Sequence, residues 1–211
     1  MLLTYDDGPD PAGTPAVLRE LAAAGARATF FVLGTRVQLY PEVFRSVVAE
    51  GHEIGLHGAD HRRVDRVPEA EFAAGLIETK DRLEQSIQRP VVWYRPPYGR
   101  LTFSAWTAAK DAGMTTAGWA GDIQDWLDVS RDQQLAGLEK LTRTGEILLA
   151  HDAFADGRDR VDDGPAPPFD RGLLARAVLE RLSSDDCAQP TLSDALAHGS
   201  PVWRMWVGAE I

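Results

Sequence analysis

The stretch Leu2-Leu3-Thr4-Tyr5-Asp6-Asp7-Gly8-Pro9 decides how the rest of the chain is read. A short apolar run ends abruptly in two acids and a Gly-Pro break, which is the signature of a buried strand stopping at a polar rim. A helical pattern follows at once. Thr14 and Pro15 read as N-cap and first turn, Val17, Leu18 and Leu21 share one face, and Gly25 is the stop. A second apolar run, Ala28–Leu33, completes a strand–helix–strand unit.

Working outward, the same alternation recurs. Further strands are expected at Glu53–His57, Val91–Tyr94, Thr115–Trp119 and Ile147–Ala150, with the first at Leu2–Tyr5 and a last short one near Thr191–Leu192. Pro41 opens a helix that Gly51 closes. Phe72, Leu76, Leu83 and Ile87 line a longer one, and helices over Ser104–Ala112, Leu135–Leu141 and Leu173–Leu182 follow. Strands alternating with helices across short connections imply parallel strands covered by helices, as an open sheet or a closed barrel. The one long irregular stretch, Asp152–Asp170, carries six Asp, three Pro and two Gly. A loop of that length is either a solvated surface excursion or a functional, substrate-facing element.

Composition narrows the function. The 211 residues are 44% hydrophobic and 26% charged, enough for a sizeable core and too apolar for disorder. Lys plus Arg number 22 against 32 Asp plus Glu, a net charge of −10 that repels phosphate backbones and anionic lipid. Nucleic acid and membrane are therefore excluded as expected partners, and no protein partner is evident. The single cysteine, Cys187, rules out an internal disulfide framework and a multi-cysteine metal site. There is no Gly-rich phosphate loop after a strand and no serine nucleophile elbow.

The polar residues cluster at strand ends. Asp6 and Asp7 follow the first strand, His57 and His61 the third, Arg95 and Tyr98 the fourth, Asp122 and Asp125 the fifth, and His151 ends the sixth. In a parallel α/β barrel these ends share one face, where active sites are built. His57 and His61, four apart, can share a metal ion if their turn is helical. Adjacent carboxylates at Asp6 and Asp7 repel each other and lose hydration, so a metal on one and an arginine on the other would compensate. Trp93, Trp106 and Trp119 are read as core, and His52 and His198 as structural or exposed.

With these residues in place, the chain resembles the polysaccharide deacetylases that share the NodB homology domain, carbohydrate esterase family 4. The motifs run in order from Leu2 to about Asp194: Thr4-Tyr5-Asp6-Asp7-Gly8-Pro9, His57-Gly58-Ala59-Asp60-His61, Arg95-Pro96-Pro97-Tyr98-Gly99, Asp122-Ile123-Gln124-Asp125-Trp126 and Leu148-Leu149-Ala150-His151-Asp152. The resemblance implies a distorted α/β barrel of about seven strands, with residues 1–211 as one NodB-like domain. It implies that Asp7, His57 and His61 bind a divalent metal, zinc first and cobalt or manganese next. Asp6 would be the general base, paired with Arg95. His151 would be the general acid, oriented by Asp125, and the Tyr98 backbone N–H would hold the developing oxyanion. Trp126 and Leu149 would receive the acetyl methyl.

The implied activity is hydrolysis of N-acetyl groups on N-acetylglucosamine-containing oligo- or polysaccharide, of the chitooligosaccharide, chitin or peptidoglycan type. The alternative is an intracellular deacetylase or other C–N hydrolase acting on a small metabolite or biosynthetic intermediate. A silent carbohydrate-binding module would be expected to lack the base or the acid, yet Asp6 and His151 are both present. Gly58 stands where the family often has Ser or Thr, and Trp203-Arg204-Met205-Trp206 is assigned to the barrel bottom. The acidic start places the protein in the cytoplasm if the chain is complete, and outside the cell if a leader was removed.

Overall fold

The computed structural model describes residues 1–141, 144–182 and 189–202. In chain order, β1 (Leu2–Asp6), α1 (Gly13–Ala24), β2 (Thr29–Leu33), α2 (Gly34–Leu39), α3 (Pro41–Ala49), β3 (Glu53–Gly58) and α4 (Glu69–Ile87) form the first half. The second half comprises β4 (Trp93–Tyr94), α5 (Phe103–Asp111), β5 (Thr115–Thr116), β6 (Gly121–Asp122), α6 (Arg131–Ala136), β7 (Ile147–His151), α7 (Arg171–Leu182) and α8 (Leu192–His198). All strand pairs are parallel, in the order β5-β4-β3-β2-β1-β7-β6.

The connection between the two outermost strands forces the sheet to curl. β5 ends at Thr116 and β6 begins at Gly121, on the opposite edge. Five peptide steps of about 3.6 Å reach at most ~18 Å. Six inter-strand gaps of about 4.8 Å would hold the edges of a flat sheet ~29 Å apart. The seven strands therefore wrap into a half-barrel, in line with the distorted barrel of about seven strands that the resemblance implies.

Strand alternation divides the core into two layers. Leu3 and Tyr5 of β1, Phe30 and Val32 of β2, Leu56 of β3 and Leu148 of β7 pack outward against helices carrying Val17, Leu18, Leu21, Leu174 and Val178. Inside the curl lie Leu2, Phe31, Trp93, Ala117 and Leu192. Inward positions on neighbouring strands are in register, with Thr4 beside Leu149 and Asp6 beside His151. Gly55 lets the Phe31 ring lie flat on β3, since a Cβ there would sit 2.7 Å from that ring.

α8 fills the bottom of the half-barrel. The expected strand near Thr191–Leu192 is instead the start of this helix, because Thr191 and Asp194 form a reciprocal capping box. The Leu192 N–H donates to Thr29 Oγ1 (3.1 Å), and Trp93 Nε1–H reaches Glu53 Oε1 and Ser193 Oγ, both at 3.0 Å. Trp203–Trp206 and Cys187 lie outside the described residues. Thr14 also departs from expectation. It is not the N-cap of α1, and its hydroxyl instead accepts from the Asp10 N–H and bonds the buried Asp152 carboxylate. Trp106 is 39% exposed and lies against the exposed Phe103, so it is not core.

α2, a short helix that no apolar periodicity announces, carries the fully buried Arg36. Its guanidinium pairs with the equally buried Asp159 (Nη2 to Oδ2, 2.6 Å; Nε to Oδ2, 2.8 Å) and donates to the Phe154 carbonyl at 2.9 Å. Asp10 and Asp156 add carboxylates at 3.3 and 3.4 Å. The irregular 152–170 stretch is thus bolted to the barrel. Removing one partner of a buried ion pair strands the other, so Arg36→Leu is expected to cost about 3–5 kcal/mol. Urea unfolding measures this. A loss below about 1 kcal/mol would place the pair among ordinary surface bridges.

Candidate active site

Asp6 is the last inward residue of β1, and its neighbour in a regular strand would point the other way. Asp7 does not, because it lies beyond the strand end with φ at 75°, a left-handed turn that returns its carboxylate to the interior side. Both acids therefore reach one site and both are buried. A Cβ on Gly8 would lie 2.2 Å from the Asp152 carboxylate, so glycine is needed for the chain to pass here.

His57 Nε2 lies 3.3 Å and His61 Nε2 3.2 Å from Asp7 Oδ1. Among the described residues, these three form the one group whose ligand atoms, all within 4.8 Å of one another, could hold a metal ion. His57 sits on β3, and the bend 59–61 after that strand brings His61 back beside it. The expected helical turn is absent. A Cβ on Gly58 would meet the Asp60 carbonyl oxygen at 2.6 Å, so the tightness of this bend accounts for glycine at that position.

The donor set fits a divalent cation. His57 Nδ1 is 2.8 Å from the Arg95 carbonyl, which fixes the proton there and leaves the Nε2 lone pair facing Asp7. Asp7 Oδ1 is buried without a hydrogen-bond partner. Burial alone would raise the Asp7 pKa, but His61 and His57 outweigh it and hold the carboxyl well below its usual range. Burial would likewise lower His61, yet Asp7 and Asp163 pull it up to about 10. Such a site attracts positive charge. Both imidazoles turn an Nε2 toward one carboxylate oxygen, as three ligands of a single ion would.

On one side of this triad, Arg95 crosses the interior of the curl. It is fully buried, donates to Asp6 Oδ1 and Thr4 Oγ1 at 2.8 Å each, and reaches the carbonyls of Ala117 and Gly118. Its guanidinium also lies over the Phe31 ring, 4.1 Å from the centroid. Oδ1 of Asp6 is occupied in this way, while Oδ2 faces the triad, 3.9 Å from His57 Nε2.

On the other side, His151 ends β7 and is held twice by Asp125. Nδ1 lies 2.7 Å from Oδ1, and the backbone N–H donates to Oδ2 at 2.7 Å. Burial would lower the His151 pKa, but the Asp125 carboxylate outweighs it and raises it to about 9. Arg171, at the start of α7, donates to the His151 carbonyl (2.7 Å) and to Asp125 Oδ2 (3.4 Å). Trp126 packs edge-on against the imidazole with centroids 5.6 Å apart, and buried Leu149 lies one inward position below His151. Tyr98 has φ at 57°, and its ring lies against His61 at 4.4 Å between centroids.

Every residue singled out at a strand end converges here except Asp122, whose half-buried carboxylate enters none of these pairs. Arg171 and Asp163 were missed. Arg171 follows a loop and opens a helix, where an arginine carries no signal of an inward role. Asp163 is one of six Asp in an irregular stretch, with nothing in the sequence to set it apart.

A family model for polysaccharide deacetylase matches residues 1–117. A peptidoglycan-N-acetylglucosamine deacetylase of Bacillus cereus is 35% identical over 160 residues, covering 75% of this chain and 73% of that protein. A chitooligosaccharide deacetylase of Bradyrhizobium is 34% identical over 159 residues, with the same coverage of 75% and 73%. Among solved structures, the peptidoglycan deacetylase PdaC of Bacillus subtilis superposes with a TM-score of 0.77 at 28% identity, over 93% of this chain and 89% of that one. The strand-end motifs, the curled parallel sheet and these similarities agree, and the chain belongs to the polysaccharide deacetylase family, carbohydrate esterase family 4.

Proposed function

We propose that this site hydrolyses the N-acetyl group of N-acetylglucosamine-containing oligo- or polysaccharides, with zinc held by Asp7, His57 and His61. One observation carries the reading: a carboxylate fixed by an arginine and an imidazole fixed by a carboxylate flank the metal triad from two sides. Hydrolysis of an amide needs a base for the attacking water and an acid for the departing amine, and the two pairs supply one of each. When bound, zinc supplies Lewis-acid polarisation and lowers the pKa of water.

Asp6 takes the proton of the attacking water through Oδ2, since Arg95 occupies Oδ1. The water oxygen bonds the acetyl carbon as the C–N bond breaks. His151 gives its Nε2 proton to the leaving nitrogen, and Asp125 stabilises the imidazolium that supplies it. The Tyr98 backbone N–H holds the oxyanion. Trp126 and Leu149 form the apolar wall for the methyl group, and residues 1–211 act as one domain. Zinc-supplemented acetate release from N-acetylated chitooligosaccharides and from peptidoglycan fragments tests the substrate class. Release from neither would remove the saccharide reading.

The His151–Asp125 pair has a pH signature. A histidine raised from 6.5 to about 9 by its carboxylate contributes stability that is fully present below pH 6.5 and is lost as pH rises through about 9. As an acid it is competent over the same range. Asp125→Asn removes the attraction, so the basic limb of the kcat–pH profile is expected to move down by on the order of one pH unit or more. An unmoved limb would contradict the assignment of His151 as the acid.

A further inference from the structure

We propose that Asp163 is a positioning residue for the metal site: its carboxylate, carried over the triad by the 152–170 segment, orients the imidazole of His61. The proposal rests on Asp7, His57 and His61 being the metal ligands. A histidine that binds metal through one ring nitrogen usually donates the N–H of the other to an acceptor, which fixes tautomer and ring orientation. His57 meets this requirement with the Arg95 carbonyl at 2.8 Å. His61 has no equivalent on the barrel. Its Nδ1 is buried without a hydrogen-bond partner, and the group facing it is Asp163 Oδ2 at 3.7 Å.

Two independent links hold Asp163 there. The Tyr98 hydroxyl donates to the same oxygen at 2.6 Å while its ring lies against His61, so carboxylate, phenol and imidazole form one packed set. The segment is anchored from below. Asp159, gripped by buried Arg36 and by the Thr35 hydroxyl at 2.7 Å, accepts the His61 backbone N–H on its carbonyl at 3.1 Å. Arg160, with φ at 65°, then turns the chain back so that Asp163 arrives over the imidazole. The segment thus touches His61 at both backbone and side chain. One hydrogen bond to the His61 backbone and one carboxylate facing its free ring nitrogen place this loop against the metal ligand itself.

Zinc dissociation constants from chelator competition test this on the purified chain. Asp163→Ala is expected to weaken zinc about 10–100-fold, the range found for outer partners of metal-bound histidines. Asp163→Asn keeps the shape and an accepting oxygen, and is expected to fall between Asp163→Ala and the wild type. Asp162→Asn removes the same charge from the neighbouring side chain, exposed like Asp163 but making none of these contacts to His61 and Tyr98, and is expected to stay within about twofold of wild type. Wild-type affinity in both Asp163 variants overturns the proposal, as does an equal loss in Asp162→Asn. A raised KM with zinc affinity unchanged would make Asp163 a substrate contact instead. A wild-type chain that binds no zinc would overturn the ligand assignment itself, so the two failures are distinguishable.

Discussion

Asp6→Asn is expected to lower kcat by about 10²–10⁴-fold, the usual contribution of a positioned general base, while zinc content stays at the wild-type level. The geometry separates the two adjacent acids. Asp6 gives one oxygen to Arg95 and turns the other toward the triad, whereas Asp7 Oδ1 faces both imidazoles. An amide at position 6 still offers Arg95 an acceptor, so the buried guanidinium keeps a partner and the fold persists. It cannot take a proton. Steady-state kinetics alongside metal analysis of the same preparation give the answer. Loss of zinc together with activity would mean that the roles of Asp6 and Asp7 are reversed.

His61→Ala is expected to remove zinc and activity together. The variant leaves two of the three ligands, and its loss of affinity is expected to exceed the ~100-fold upper range of an outer-partner mutation. It also removes the group that, with His57, holds the buried Asp7 carboxyl well below its usual range in the metal-free site. Metal titration and kcat measured across the same zinc range check both effects. Full activity in a zinc-free His61→Ala preparation would refute the triad as the reaction centre.

Much of this architecture was legible in the sequence because a parallel α/β curl sends every strand end to one face. Once Leu2–Tyr5 is read as a strand, Asp6 and Asp7 must lie on the rim, and His57, Arg95 and His151 follow by the same rule, whereas Asp125 follows β6 on the edge opposite β5 and not the expected Thr115–Trp119 strand. Helix stops were readable where glycine adopts positive φ, at Gly25, Gly51 and Gly113. What failed has physical reasons. β6 is two residues long, below any periodic signal. Thr191-Leu192-Ser193-Asp194 combines a β-prone pair with a capping box, and the cap prevails. His57 and His61 share helical spacing but meet across a glycine bend, which spacing alone cannot distinguish. The segment around Asp163 owes its position to Arg36, 127 residues earlier, an ion-pair anchor that no local pattern encodes.

The most direct test of the account is acetate release from N-acetylated chitooligosaccharides by the zinc-loaded chain, with Asp6→Asn as the blank. The wild type is expected to release acetate at least about 100-fold faster than the variant, with equal zinc in both. A wild type that holds its zinc and releases no more acetate than Asp6→Asn would contradict it.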